Sequence, residues 1–120
     1  MPPERIPTQI TLHQKSRILE IAFSDGREFR LPYEYLRVYS PSAEVRGHGP
    51  GQEVLQTGKR NVEIHSLEAV GSYAVQPVFS DGHSTGIYSW DYLYELGGEQ
   101  DRLWAEYLAR LESKGGSRDK

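Results

Sequence analysis

The sequence predicts an α+β fold: a small single domain in which two strand–turn–strand–helix units form a mixed or antiparallel sheet, closed by C-terminal helices. Three observations predict it. Phe23-Ser24-Asp25-Gly26 recurs as Phe79-Ser80-Asp81-Gly82, and each copy is a strand end followed by a tight-turn signal. A helical period follows each copy and dominates residues 99–112. The 120 residues suffice for one core, since domains of this size bury roughly two thirds of their unfolded surface.

Residues 1–7 hold Pro2, Pro3 and Pro7 and read as an extended lead-in. In 8–13 (TQITLH), Ile10 and Leu12 alternate with polar neighbours, the period of a half-buried strand. After a turn at 14–16, residues 17–23 (RILEIAF) set Leu19, Ile21 and Phe23 on one face. Asp25-Gly26 readily takes the positive φ angles of a hairpin turn, so 28–31 return as a third strand. Pro32 suits the first turn of a helix over 32–39, where a missing N–H costs nothing, and Pro41 ends it by restricting Ser40. Residues 40–60, with two prolines and four glycines, form an irregular stretch. A loop of this length inside a compact domain is either functional or disordered, and pattern does not separate the two.

In 61–70 (NVEIHSLEAV), Val62 and Ile64 face one way and Glu63 and His65 the other, a strand broken at Gly71. Residues 73–79 form the next strand, with Pro77 marking an edge or a bulge. The second Asp-Gly turn leads to a return strand over 84–88. Ser89 supplies a capping hydroxyl for a helix over 90–96, which Gly97-Gly98 ends through the left-handed C-terminal position. These elements place one domain at 8–96. The last helix, 99–112, carries Trp104, Tyr107, Leu108 and Leu111 at i, i+3, i+4 and i+7 and packs on that domain. Residues 113–120, rich in Gly, Ser and charge, read as a disordered tail.

The repeat extends to Tyr35-Leu36 and Tyr92-Leu93, one residue out of step with the turns. Each unit is too small to bury its apolar face alone, and two together cover one core. The competing explanation is coincidence, because Asp-Gly turns are common.

Composition excludes several function classes. Net charge is −3, with 14 Lys and Arg scattered among 17 acids, so the basic stripe of a nucleic-acid binder is missing. The absence of cysteine excludes disulfides, thiolate catalysis and a Cys-ligated metal held by this chain alone. No apolar run reaches the roughly 18 residues of a membrane span, and the N-terminus has no signal-peptide core. The expected location is cytoplasmic, with no membrane partner.

The motifs are thin. Gln56-Thr57-Gly58-Lys59-Arg60 lacks the upstream glycine and the Ser or Thr of a phosphate-binding loop. His65 and Glu68, three apart on a strand, diverge. None of the four histidines is followed two residues on by a carboxylate, as the facial triad of an iron oxygenase requires. A Ser-His-Asp triad cannot be argued from spacing. His48 lies among glycines that permit close approach to a ligand and equally suit a floppy loop. His83 follows an Asp-Gly turn, where Asp81 could orient its imidazole as metal-binding histidines require, but on physical grounds alone a turn histidine hydrogen-bonding its own hairpin is the favoured reading.

Leu36-Arg37-Val38-Tyr39-Ser40-Pro41-Ser42-Ala43-Glu44-Val45, then Gly47-His48-Gly49-Pro50-Gly51, then Asp81-Gly82-His83-Ser84 and Tyr88-Ser89-Trp90-Asp91-Tyr92-Leu93 resemble the gamma-butyrobetaine hydroxylase-like N-terminal domain family. The resemblance spans roughly residues 10–96. In the hydroxylases it implies a domain preceding an iron- and 2-oxoglutarate-dependent catalytic domain, with a structural zinc on three cysteines and one histidine. Those cysteine positions fall on Ser40, Ser42 and Val45 here, and the histidine on His83. The chain thus reads as a small stand-alone member that lacks the zinc cysteines, with a helix and tail where the catalytic domain would follow. Similar domains fused to iron–sulfur carrier ATPases of the Mrp type imply an accessory role in iron or iron–sulfur handling.

The expectation is therefore an accessory, protein-interaction module, not an enzyme, with no resident cofactor. It binds a protein partner and exists as monomer or homodimer. Its binding residues are Arg37, Tyr39, Ser40, Ser42, His48, Asp81 and His83. Two alternatives stay open: a weak zinc, iron or small-ligand binder using His83 and the 40–51 loop, and a component of an iron- and 2-oxoglutarate-dependent oxidoreductase.

Overall fold

The computed structural model describes residues 5–47 and 51–120. The expected α+β architecture is realised as two separate three-stranded antiparallel sheets joined and closed by helices. The first sheet orders β1 (Pro7–His13), β2 (Ile18–Phe23) and β3 (Glu28–Pro32) in sequence. It leads into α1 (Tyr33–Val38). A short helix, α2 (Ala43–Arg46), stands inside the stretch that pattern left irregular. The second sheet orders β4 (Ile64–Val70), β5 (Ala74–Phe79) and β6 (Tyr88–Ser89), and is followed by α3 (Trp90–Gly98) and α4 (Gln100–Ser113).

The sequence repeat is structural at its turns. Phe23 N–H donates to Arg27 O at 2.8 Å and Gly26 N–H to Phe23 O at 3.0 Å. In the second copy Phe79 N–H donates to His83 O at 3.0 Å and Gly82 N–H to Phe79 O at 3.1 Å. Gly26 and Gly82 sit at φ 91° and 90°, a left-handed conformation open to glycine at no steric cost. Asp25 and Asp81 each accept the main-chain N–H two residues on, at 2.9 and 3.1 Å.

Past the turns the copies part. β3 pairs with β2 from Ala22↔Glu28 to Ile18↔Pro32. The return strand expected over 84–88 does not form, because pairing with β5 is confined to Tyr88 and Ser89. The chain before them is taken up by other contacts: Gln76 Nε2 donates to Ser84 O, Thr85 bonds Ser42, and Gly86 lies so close to Ser40 that a Cβ there would overlap its hydroxyl. Pro77 pairs with Leu67 of β4 and lies beyond the reach of β6, as its missing N–H demands.

One core joins Leu19, Ile21 and Leu31 of the first sheet to Leu36, to Ile64 and Phe79 of the second, and to Leu93 and Leu96 of α3. Buried tyrosines tie the layers through their hydroxyls: Tyr35 donates to Leu96 O at 2.6 Å and Tyr88 to Leu36 O at 2.5 Å. Gln14 bridges the halves, accepting from the Tyr33 hydroxyl and donating to Ile64 O. Tyr107 and Leu111 of α4 pack on Val38, while Leu108, on the expected apolar stripe, is exposed.

Two expectations need correction. Gly97-Gly98 does not stop α3 through a left-handed residue. The helix runs through both, and Gly97 is small because a Cβ would overlap the Phe29 ring. The tail is not disordered either. Ser117 O accepts from Gly58 N–H at 2.9 Å and Arg118 O from Arg60 N–H at 3.0 Å. Arg118 grips the buried Glu34 carboxylate with two bonds, at 2.8 and 2.6 Å, and Arg60 pairs with Asp119. A carboxylate 6 % exposed needs a cation, and the C-terminal segment supplies it.

Candidate functional site

The two turn–helix units meet where the chain leaving α1 passes the second Asp-Gly turn. Ser42 caps α2, its hydroxyl accepting from Glu44 N–H at 3.1 Å. That cap fixes the direction of Ser40, Ser42 and Glu44, and all three face His83 and Thr85. Ser40 Oγ lies 2.8 Å from His83 Nε2, and His83 Nδ1 lies 3.0 Å from Glu44 Oε2. Ser42 Oγ meets Thr85 Oγ1 at 2.7 Å, and Thr85 donates to Glu44 Oε2 at 2.8 Å.

The proton directions follow from what each group can do. The Glu44 carboxylate only accepts, so Nδ1 is the donor toward it. Burial, then the nearby Arg37 cation, lower the His83 pKa below its ordinary value of 6.5, so the imidazole is neutral and Nε2 accepts from the Ser40 hydroxyl. Ser40 Oγ in turn accepts from Ser42 N–H at 3.2 Å. Ser40, Ser42 and His83 are buried, whereas Glu44 is exposed.

Beside this cluster Asp81 holds a second one. Arg37 Nε donates to Asp81 Oδ2 at 2.9 Å and Lys59 Nζ at 2.5 Å. Burial would raise the Asp81 carboxyl. The Lys59 hydrogen bond, the His83 N–H and Arg37 outweigh it and bring the pKa down to about 2. Asp81 therefore does not orient the imidazole. It accepts from the main chain of His83, and Glu44 and Ser40 orient the ring. Tyr39 sits apart, its hydroxyl on Leu103 O and its carbonyl accepting from Tyr92, both at 2.6 Å. His48 lies outside the described residues.

Sequence reasoning missed Glu44, Thr85 and Lys59. The capping pattern at Ser42 and Glu44 was the available signal for the first; nothing local marks the other two. It also missed a groove of about 510 Å³ on the far side of Ser40, lined in part by Val38, Tyr39, Val45, Arg46, Val54 and Arg110.

The sequence profile of the gamma-butyrobetaine hydroxylase-like N-terminal family matches residues 10–94. The chain belongs to this family. Similar proteins of known structure agree with the fold. Two proteins solved by NMR in solution are 50 % and 52 % identical, with TM-scores of 0.84 and 0.83; each alignment covers 98 % of this chain and 92 % and 90 % of the other. A crystal structure of a protein of unknown function from Acidithiobacillus ferrooxidans is 39 % identical, with TM-score 0.67, covering 81 % of this chain and 98 % of that one. No curated protein matches the chain significantly.

For a gamma-butyrobetaine hydroxylase-like N-terminal domain the question is zinc. The fold brings Ser40, Ser42 and His83 together, with Val45 buried one turn of α2 further on. These residues do not fit the metal. Both imidazole nitrogens are engaged by Ser40 and Glu44, the hydroxyls are neutral, and Val45 has no donor. Among the described residues no group of three or more His, Asp or Glu is placed to hold an ion. Nor is any helix among them long and apolar enough to cross a membrane.

Proposed function

We propose that this domain is a cytoplasmic accessory module that works by binding a protein partner and performs no catalysis of its own. The observation that carries the reading is the groove beside α2. Val54, 53 % exposed, stands open in it beside Leu55. Its rim carries Arg46 and Arg110, neither paired with a carboxylate among the described residues.

The polar cluster next to it supports the non-catalytic part. Ser40, His83 and Glu44 stand in the order of a hydrolase triad, at 2.8 and 3.0 Å. A nucleophile must reach its substrate, and Ser40 is 1 % exposed, accepts from Ser42 N–H and is covered by Gly86. The alignment is better explained as internal satisfaction of buried polar groups. A role in iron or iron–sulfur handling would pass through the partner, since this chain offers no thiolate.

Affinity capture from lysate with wild-type and Val54→Asp baits tests the reading. Val54 is 53 % exposed, so the variant folds. A protein retained by the wild type and lost with the variant is expected. Identical retention by both baits overturns the assignment of the groove.

A further inference from the structure

We infer that the groove takes an extended peptide segment of a partner protein, one that presents a carboxylate beside an aliphatic side chain. This rests on the interaction-module reading and gives the chemistry of its partner. Three features specify the occupant.

The apolar part of the walls comes from Val38, Val45, Val54 and Leu55 together with the rings of Tyr39, Tyr92 and Tyr107, and Val54 remains largely exposed. That calls for an apolar side chain of matching size. The charge calls for an anion. Arg46 lies 4.8 Å over the Tyr92 ring and Arg110 5.7 Å over the Tyr39 ring. Arg110 donates one N–H to the Tyr39 hydroxyl at 3.3 Å, and Arg46 also bonds Tyr92. Neither meets a carboxylate among the described residues, and a guanidinium has five N–H donors, so each keeps N–H groups for one. Among the described residues Glu53 is the only acid in the lining against two arginines, so that lining is positive on a chain of net charge −3.

The main chain calls for a peptide. Val54 N–H donates to Val45 O at 2.7 Å, and Val54 O accepts from Gln56 Nε2 at 2.8 Å. The main-chain N–H and C=O of Glu53 and Leu55 have no hydrogen-bond partner among the described residues. The exposed main-chain groups on either side of Val54 are thus open to a ligand, and an extended peptide carries the matching donors and acceptors along its own backbone. A free small carboxylate would use the arginines and leave these groups unmet.

The test is panning of a phage-displayed random nonapeptide library on the full chain. Fluorescence anisotropy of the resynthesised winner then gives Kd. Winners are expected to carry Asp, Glu or a free C-terminus next to Leu, Ile or Val. Arg46→Gln and Arg110→Gln should each weaken binding about tenfold or more, the scale of a charge-assisted hydrogen bond. Both arginines are exposed, so the variants keep the fold, which circular dichroism verifies. The inference is overturned if no peptide is enriched, or if winners bind both variants with unchanged Kd. It is also overturned if hexanoate, as a free carboxylate, displaces the winner at equal concentration. If the library fails while Val54→Asp still strips a captured protein, the peptide chemistry is wrong and the module reading stands. If capture ignores Val54→Asp, the module reading falls as well.

Discussion

Replacing Asp81 by Asn deletes one negative charge and little else. Asn keeps an acceptor for His83 N–H and suits the same turn, so Gly82 and the hairpin stay as they are. The cost is then electrostatic. The carboxyl falls from 3.8 to about 2, which at ~1.36 kcal/mol per unit is about 2.5 kcal/mol. The side chain keeps 23 % exposure, and screening trims this to about 1–2 kcal/mol. The variant also strands Arg37, whose side chain is 8 % exposed and whose Nη1 already has no partner among the described residues. Removing one side of a fully buried pair costs roughly 3–5 kcal/mol. With Asp81 and Lys59 partly solvated, the expectation is about 2–3 kcal/mol in urea unfolding at pH 7. The repeat supplies the control. Asp25→Asn changes the same atom in the matching turn, where the carboxylate is exposed and accepts from the Tyr94 hydroxyl rather than from buried cations, and should lower the urea midpoint clearly less than Asp81→Asn does. The pH dependence adds a second check. The folded pKa is depressed, so the contribution is present above 3.8 and lost as pH falls from there toward 2. The gap between wild type and Asp81→Asn should close over that window. Equal costs for the two Asp→Asn variants, or a gap that persists at pH 2, would refute the reasoning.

Four further outcomes are expected. His83 is held neutral with a pKa below 6.5, so the unfolded chain takes up its proton first, and stability present above 6.5 falls as pH drops below it; His83→Ala should flatten that slope in urea midpoints at pH 7 and pH 5. Gly97→Ala drives a methyl into Phe29 and should cost about 1–3 kcal/mol, whereas Gly98→Ala meets nothing within 4 Å and should gain up to about 1 kcal/mol from helix propensity, both read by thermal unfolding. Truncation after Lys114 removes Arg118 from the buried Glu34 and should lower stability by about 2 kcal/mol or more; Glu34→Gln in the truncated chain should restore part of it. Dialysis against EDTA should leave the thermal midpoint where it was, because the buried cluster is satisfied by hydrogen bonds alone.

What could be read from the sequence was what local chemistry decides. The Asp-Gly turns were legible because positive φ at Gly26 and Gly82 is a property of the dipeptide. The alternation of Leu19, Ile21 and Phe23 announced the central strand of the first sheet. The misses share one cause. The 84–88 segment carries strand-like residues, yet Ser40 and Ser42 compete for it from more than forty residues away. The tail looks unstructured by composition, and its anchor Glu34 lies 84 residues from Arg118. At the site, the resemblance aligned Ser40, Ser42 and His83 without revealing Glu44, which closes the hydrogen-bond chain from an unremarked helix of four residues.

The cluster and the groove are two faces of one segment, and this couples stability to recognition. Ser40 is pinned to His83 on one side and lines the groove on the other. Ser42 caps the helix that presents Val45 and Arg46 to the groove. The hydrogen bonds among Ser40, Ser42, Glu44, His83 and Thr85 therefore set the position of one groove wall without touching what the groove holds. Loss of His83 should loosen that wall, so His83→Ala is expected to weaken a groove-bound peptide through faster dissociation while leaving the arginine-dependent salt sensitivity unchanged. Arg46→Gln should do the reverse, reducing salt sensitivity with the cluster intact. A His83→Ala variant that binds as tightly as wild type would separate the two faces and leave the cluster a purely structural device.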